Sequence, residues 1–299
     1  MTHEPLEMER VFCKIAWEHE NHETRPKPGL PKNVIARHTF EVPSAKKSAR
    51  ILEIVDVLER TYPDAHCELN FRSPLELLMA TILSAQCTDI RVNQVTRTLF
   101  DRCKAARDYV EIPVEELESI IRSTGFYHAK AKNLKACAGA LVSCHGGEVP
   151  SSLEELTQLA GVGRKTANVV LGDAFHTPCG VVVDTHVQRL SGRLGLSSQR
   201  TPEKIEFDLM RVIPRAKWAR LSHLLIWHGR RRCDARKPNC AHCELSDLCP
   251  SAGKNAVNIG RKNPQPKSAG TKPEKSGSRN SKSQVKPGKA RTKPLRRKP

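Results

Sequence analysis

From Ser48 onward the apolar positions recur with the 3.6-residue period of helices that bury one face. Ile51, Ile54, Val55 and Leu58 form the first such stripe, and Pro63 stops it. Ser73-Pro74-Leu75-Glu76 is a capping box with proline at the first helical position. Leu75, Leu78, Met79, Ile82 and Leu83 continue that helix on one face. Thr88 caps the next, with Val92, Val95 and Leu99 facing inward. Val114, Leu117, Ile120 and Ile121 mark a helix that ends near Gly125, and Leu134, Cys137, Ala138 and Leu141 mark one that ends near Gly146-Gly147. Ser151 and Ser152 stand three residues before Glu154 and Glu155, again a helix start. Ile205, Leu209 and Val212, then Trp218, Leu221, Leu224 and Leu225, predict two later helices. Gly180–Val183 alone has strand character and is too short to build a sheet. The pattern predicts an all-α fold of short helices and short loops.

The flanks read differently. Residues 1–45 hold six bases, seven acids and Pro26, Pro28, Pro31 and Pro43, with no sustained period, which predicts a poorly ordered extension. The 299 residues carry a formal charge of +18, but residues 251–299 hold fifteen Lys and Arg against one acid, Glu274. That tail supplies +14 and the rest of the chain only +4, so strong basicity is not a property of the folded part. Without Phe, Trp or Tyr the tail cannot bury enough apolar surface to offset its ordering entropy, and disorder is expected. No run of eighteen apolar residues predicts a spanning helix, and Met1–Arg10 lacks a signal-peptide pattern. The expectation is a cytoplasmic protein, nucleoid-associated in a bacterium, whose eleven cysteines are not disulfides.

Two segments carry candidate chemistry. In Leu159-Ala160-Gly161-Val162-Gly163-Arg164-Lys165-Thr166-Ala167, two glycines allow a tight turn between helices. The free N–H groups and positive dipole end of the second helix suit an anion such as a backbone phosphate, with Arg164 and Thr166 adding contacts. A bare Gly-Val-Gly would be an ordinary connection; the following Arg-Lys-Thr favours phosphate. The second segment is Cys233, Cys240, Cys243 and Cys249, four thiols within seventeen residues, which imply a metal centre. Zinc is one reading, although zinc sites more often show two C-x2-C pairs and this pattern has one. The seven scattered cysteines read as buried small apolar residues.

Gly161–Leu171, with Leu83-Ser84-Ala85-Gln86-Cys87-Thr88-Asp89, Val183-Asp184-Thr185-His186 and the cysteine cluster, resembles the endonuclease III family of helix–hairpin–helix DNA base-excision glycosylase/lyases. The likeness covers about residues 46–250. Ala160 stands where the family commonly has Pro, and His128 where it often has Asn.

The resemblance implies a two-lobed helical fold. Residues 68–178 would form a lobe with the hairpin at about 151–172. Residues 46–67 with 179–250 would form a second lobe holding a [4Fe–4S] cluster on Cys233, Cys240, Cys243 and Cys249, whose 6-2-5 spacing is similar to the family's. It implies that Lys165 is the amine that attacks the sugar C1′, where residue type alone suggests a phosphate contact, and that desolvation at a closed interface favours the neutral amine. Asp184, an N-cap by position, becomes the carboxylate that stabilises the positive sugar. Gln86 and Phe126 become the polar and apolar wedges that fill the stack when a nucleotide is flipped out; residue type alone leaves them a loop glutamine and a core phenylalanine. Gly161, Gly163, Arg164, Thr166, His186, Arg236 and Lys237 become DNA contacts, the last two on a loop fixed by the cluster.

The expected activity is base removal through a lysine Schiff base followed by β-elimination. The expected substrate is double-stranded DNA with an oxidised pyrimidine or an AP site, bound by a monomer. An adenine glycosylase using water, or a non-catalytic DNA-binding module with a zinc knot, are the alternatives. Deleting residues 251–299 is expected to weaken binding to undamaged DNA. Each lost phosphate contact should flatten the log-affinity against log-salt slope by about 0.9, with single-turnover lesion cleavage nearly unchanged. Equal slopes for the full-length and truncated proteins, measured by fluorescence anisotropy, would remove the tail from the DNA interface.

Overall fold

The computed structural model describes residues 44–252, so the predicted N-terminal extension and basic tail lie outside the described residues save at their inner edges. Among the described residues there are eleven α-helices and no β-strand. In chain order they are α1 (Ala45–Thr61), α2 (Pro74–Leu83), α3 (Asp89–Arg102), α4 (Ala106–Glu111), α5 (Val114–Ile121), α6 (Tyr127–Cys144), α7 (Leu153–Gln158), α8 (Arg164–Asp173), α9 (Thr185–Arg193), α10 (Pro202–Val212) and α11 (Trp218–Arg231). None of these helices is long and apolar enough to cross a membrane.

The starts follow local side-chain chemistry. Ser44, Ser73, Thr88, Ser152 and Asp184 each accept a hydrogen bond from a first-turn backbone N–H. The Ser73 box is modified: Glu76 reaches back past the cap to accept from the Arg72 backbone N–H at 2.6 Å and pairs with the Arg72 guanidinium. α5 runs into a 3-10 turn at Arg122–Thr124, which Gly125 ends at φ +72°. α6 ends where the Gly147 N–H donates to Leu141 O at 2.8 Å. α4 carries no readable stripe because six residues are under two turns. It is started instead by Asp108, whose carboxylate accepts from the Lys104 and Ala105 N–H groups at 2.7 and 2.9 Å.

The buried apolar side chains fall into two clusters. The first draws on α2 to α8, from Leu77 and Leu78 through Leu134 and Leu141 to Val170 and Leu171. The second joins α1, through Ile51, Ile54 and Leu58, to α9, α10 and α11, through Val187, Leu209, Leu224 and Leu225. Val181–Val183 is buried extended chain that runs into α9 without strand pairing, its Val182 N–H held by Ser222 Oγ at 3.0 Å. α8 and α11 cross closely at Gly172, where an added Cβ would lie 2.9 Å from Ala219 Cβ. The His223 ring and Asp173 carboxylate meet at 2.6 Å across the same pair of helices.

Cys103 and Cys137 are buried thiols, as expected of scattered cysteines, whereas Cys67, Cys87 and Cys179 are only half-buried. Cys144 corrects that expectation: it is disulfide-bonded. It sits half-buried at the end of α6 and so departs from both expectations, full burial and the absence of disulfides.

Candidate functional site

The hairpin is built from the end of α7, the five residues 159–163 and the start of α8. Gly161 has φ +77°, and a Cβ there would press to 3.1 Å on Asn133 Cβ, so the turn needs glycine on both counts. Ala160, where the family often has Pro, is accommodated with Val162 N–H still closing the turn on Leu159 O at 3.1 Å. Gly163 caps α8 without a side chain, which leaves first-turn amides for an outside acceptor. Lys165 is exposed on that first turn and Thr166 is half-buried beside it.

Two of the Arg164 donors are engaged within the protein. Its Nε and Nη2 donate to the two oxygens of Glu206 at 2.9 and 3.0 Å, and Asn168 Nδ2 donates to the same carboxylate at 2.9 Å. Glu206 is buried on α10, and its hydrogen bonds hold the guanidinium more firmly charged than usual. Arg164 therefore forms an internal clamp on the hairpin helix through Nε and Nη2, while its side chain stays 37% exposed. Gly180 makes room for it: a Cβ there would overlap Glu206 Oε1 and lie 2.7 Å from Asn168 Nδ2.

Asp184 is the N-cap of α9, its Oδ1 accepting from Val187 N–H at 2.8 Å. One oxygen thus remains free of the capping bond. Lys165 and Asp184 stand at the N-terminal ends of two helices, α8 belonging to the first core and α9 to the second. His186, one residue into α9, is half-buried against α11, where a Cβ on Gly229 would come within 2.8 Å of its Nδ1. Burial lowers its pKa against the opposing pull of Asp184. Next to Gly229, Arg230 joins Glu68 and, at 2.7 Å, Asp89.

Gln86 and Phe126 share an unusual backbone. They and His176 are the non-glycine residues with positive φ among those described, at 54° and 50° for the two candidates. Gln86 is exposed, and Phe126 is 68% exposed, which rules out core packing for it. A large apolar side chain held outward on a strained backbone is a sign of a contact surface. The Nδ1 of His128, beside it, lies 2.7 Å from Glu118 Oε1.

Cys233, Cys240, Cys243 and Cys249 line one cavity with Arg193, Leu194 and His228. Arg193 Nη1 donates to Cys233 Sγ at 3.3 Å, and His228 Nε2 lies 3.6 Å from Cys243 Sγ. Burial pushes the His228 ring down to about 4. Its Nδ1 lies 3.0 Å from Tyr62 Oη, so the ring is held between that hydroxyl and the sulfur. A guanidinium N–H directed at a thiol suits a sulfur atom that carries negative charge. Arg193 also donates to Asp234 O and Ala235 O, both at 2.7 Å, and the Asp234 carboxylate accepts from the N–H groups of Arg236 and Lys237 at 2.8 and 3.1 Å. The loop is thereby set with Arg236 and Lys237 exposed, whereas Arg232 is taken by Glu244. His242 is exposed and points to no second ligand set.

Residues 79–215 match the HhH-GPD superfamily of base excision DNA repair proteins. Over 208 residues the chain is 51% identical to endonuclease III of Synechocystis sp. (strain ATCC 27184 / PCC 6803 / Kazusa), a match covering 70% of this chain and 95% of that protein. The chain belongs to the endonuclease III family. Among solved structures, a non-covalent endonuclease III–DNA complex is similar with TM-score 0.68 and 44% identity, over 70% of this chain and 98% of that one. A trapped endonuclease III–DNA covalent intermediate is similar with TM-score 0.67 at the same identity and coverage.

Within this endonuclease III fold, Glu206, Asn168 and Gly180 form a support that motif reading did not find. Gly180→Ala is expected to destabilise the protein by about 1–3 kcal/mol through overpacking and to weaken DNA binding as the hairpin loses its anchor. Urea midpoints and anisotropy titrations check this; unchanged values for both would mean that Glu206 has room to move.

Proposed function

We propose that this chain is a bifunctional DNA glycosylase and AP lyase of base excision repair, acting on oxidised pyrimidines in double-stranded DNA inside the cytoplasm. The observation that carries it is the pair of helix starts just described. An exposed Lys165 stands beside uncapped amides on α8, and a half-free Asp184 carboxylate heads α9.

The chemistry follows from those positions. The hairpin amides hold a backbone phosphate, and Gln86 and Phe126 enter the stack as the damaged nucleotide swings out. The Lys165 amine, once neutral, adds to C1′ while the C1′–base bond breaks and the base leaves with its electron pair and a proton. Asp184 stabilises the positive charge that builds on the sugar and accepts a proton from the attacking amine. The ring then opens as the C1′–O4′ bond breaks and O4′ takes a proton, which leaves a Schiff base at C1′; this acidifies the C2′ hydrogens, and loss of one expels the 3′ phosphate by β-elimination and nicks the strand. A water-using adenine glycosylase has no need of such an amine.

Cys233, Cys240, Cys243 and Cys249 are the residues that would hold a [4Fe–4S] cluster, and four thiols lining one cavity, with the Arg193 guanidinium donating to one of them, suit that group. When bound it supplies a structural anchor for the loop bearing Arg236 and Lys237. The two separate cores support a division into one lobe over 68–178 and another over 46–67 with 179–250.

Lys165→Gln is expected to abolish borohydride trapping and strand nicking while retaining DNA binding, and Asp184→Asn to slow base release about 10²-fold, the scale of losing one preorganised electrostatic group. Trapping of the Lys165 variant at the wild-type rate would remove it as the nucleophile. The purified protein is expected to be yellow-brown with about four iron atoms per chain; a colourless protein with one zinc by elemental analysis would overturn the cluster.

A further inference from the structure

Lys130 lies on the buried face of α6 and is only 4% exposed. A lysine is rarely buried without a specific partner. Its Nζ donates to two main-chain oxygens, Leu83 O and Thr124 O, both at 2.8 Å. Leu83 is the last residue of α2, three positions before Gln86, and Thr124 is the last residue of the 3-10 turn, two positions before Phe126. Both carbonyls are at helix ends, where the helix itself offers no partner. One ammonium therefore ties together the roots of two loops, Leu83 and Thr124, that are 41 residues apart in the chain. Both loops then bend through a positive φ and present an exposed side chain.

We propose that Lys130 is a positioning residue that holds the Gln86 and Phe126 loops at one fixed spacing, so that both side chains enter the duplex together. The proposal rests on the wedge roles given above for Gln86 and Phe126. Two wedges must match two vacated positions in the same stack, so their separation matters as much as their identity. A charged donor shared by both loop roots sets that separation, because moving either root away strands a buried ammonium. Burial itself lowers the pKa of Lys130, and the two charge-assisted hydrogen bonds work against that loss. Thr124, 2% exposed with its hydroxyl donating to Ile121 O at 2.8 Å, keeps the second root from yielding.

The test is a double-mutant cycle between Lys130→Met and the pair Gln86→Ala/Phe126→Ala, read by single-turnover excision of an oxidised pyrimidine from a duplex. Lys130→Met alone should slow excision about tenfold, the weight of one lost charged hydrogen bond in the extruded state. Nicking of a preformed abasic site in the same duplex should fall less than about threefold, since no base must be unstacked. A 2-aminopurine opposite the lesion should brighten on binding of the wild-type protein and much less with the variant. In the Gln86→Ala/Phe126→Ala background, Lys130→Met should add less than about twofold, the size of ordinary non-additivity. A full additional loss there, or equal loss on lesion and abasic substrates, overturns the proposal. Unchanged excision by Gln86→Ala/Phe126→Ala itself would instead sink the wedge reading. If Lys130→Met does not fold, Lys130→Gln, which keeps an N–H donor, enters the same cycle; if neither folds, Lys130 is a general staple of the core and the proposal fails.

Discussion

A single buried carboxylate joins the two cores. Glu206, 5% exposed, would be strongly unfavourable as a lone charge in that position. It is tolerated because three N–H groups from Arg164 and Asn168 converge on its two oxygens. Glu206 belongs to α10 of the second core and its donors to α8 of the first, so any rotation of one core against the other leaves the charge without partners. Breaking a fully buried pair is worth about 3–5 kcal/mol; this one is worth less, because the Arg164 side chain is 37% exposed. The direction of the fork matters more than its strength. A bidentate guanidinium fixes an angle as well as a distance, and the helix whose angle it fixes is the one that carries Lys165.

The remaining contacts between the cores follow the same logic of short polar links around close backbone approaches. His223 and Asp173 flank the crossing where Gly172 meets Ala219, and Ser222 holds the Val182 amide. Arg230 bridges α11 to Glu68 and to Asp89 at the head of α3. These links orient α8, α9 and the loop after α2 without filling the surface that those elements present.

Much of the fold is legible in the sequence because its helix starts are written in Ser, Thr and Asp, and its ends in Gly. Ser73, Thr88, Ser152 and Asp184 cap where their spacing says they do. α4 escaped because its stabilisation comes from one carboxylate and tertiary packing, with no room for a period. In the candidate site, the glycine turn and the cysteine spacing are local signals and were readable. Glu206 was not, since its partners lie 38 and 42 residues earlier and nothing nearby marks it. Lys130 did leave a trace. The stripe of Leu134, Cys137, Ala138 and Leu141, run back one turn, arrives at Lys130 and Ala131, which places a charge on a core position. Arg164 has an internal role that its place after the hairpin does not show, because the buried acid opposite it lies 42 residues later.

The second core is assembled from both ends of the described chain, α1 on one side and everything after Gly180 on the other. During synthesis the first core has all its helices once α8 has emerged, while α1, made earlier, has nothing to pack on. Closing a loop on the order of 120 residues before that contact forms has an entropic penalty of about 4 kcal/mol by the logarithmic rule. The chain still on the ribosome therefore has a middle that can fold while its amphipathic first helix leaves Ile51, Ile54 and Leu58 without their partners. Such a nascent chain presents an apolar stripe for as long as translation takes to run from α1 to α11, and chaperone occupancy should be concentrated in that interval.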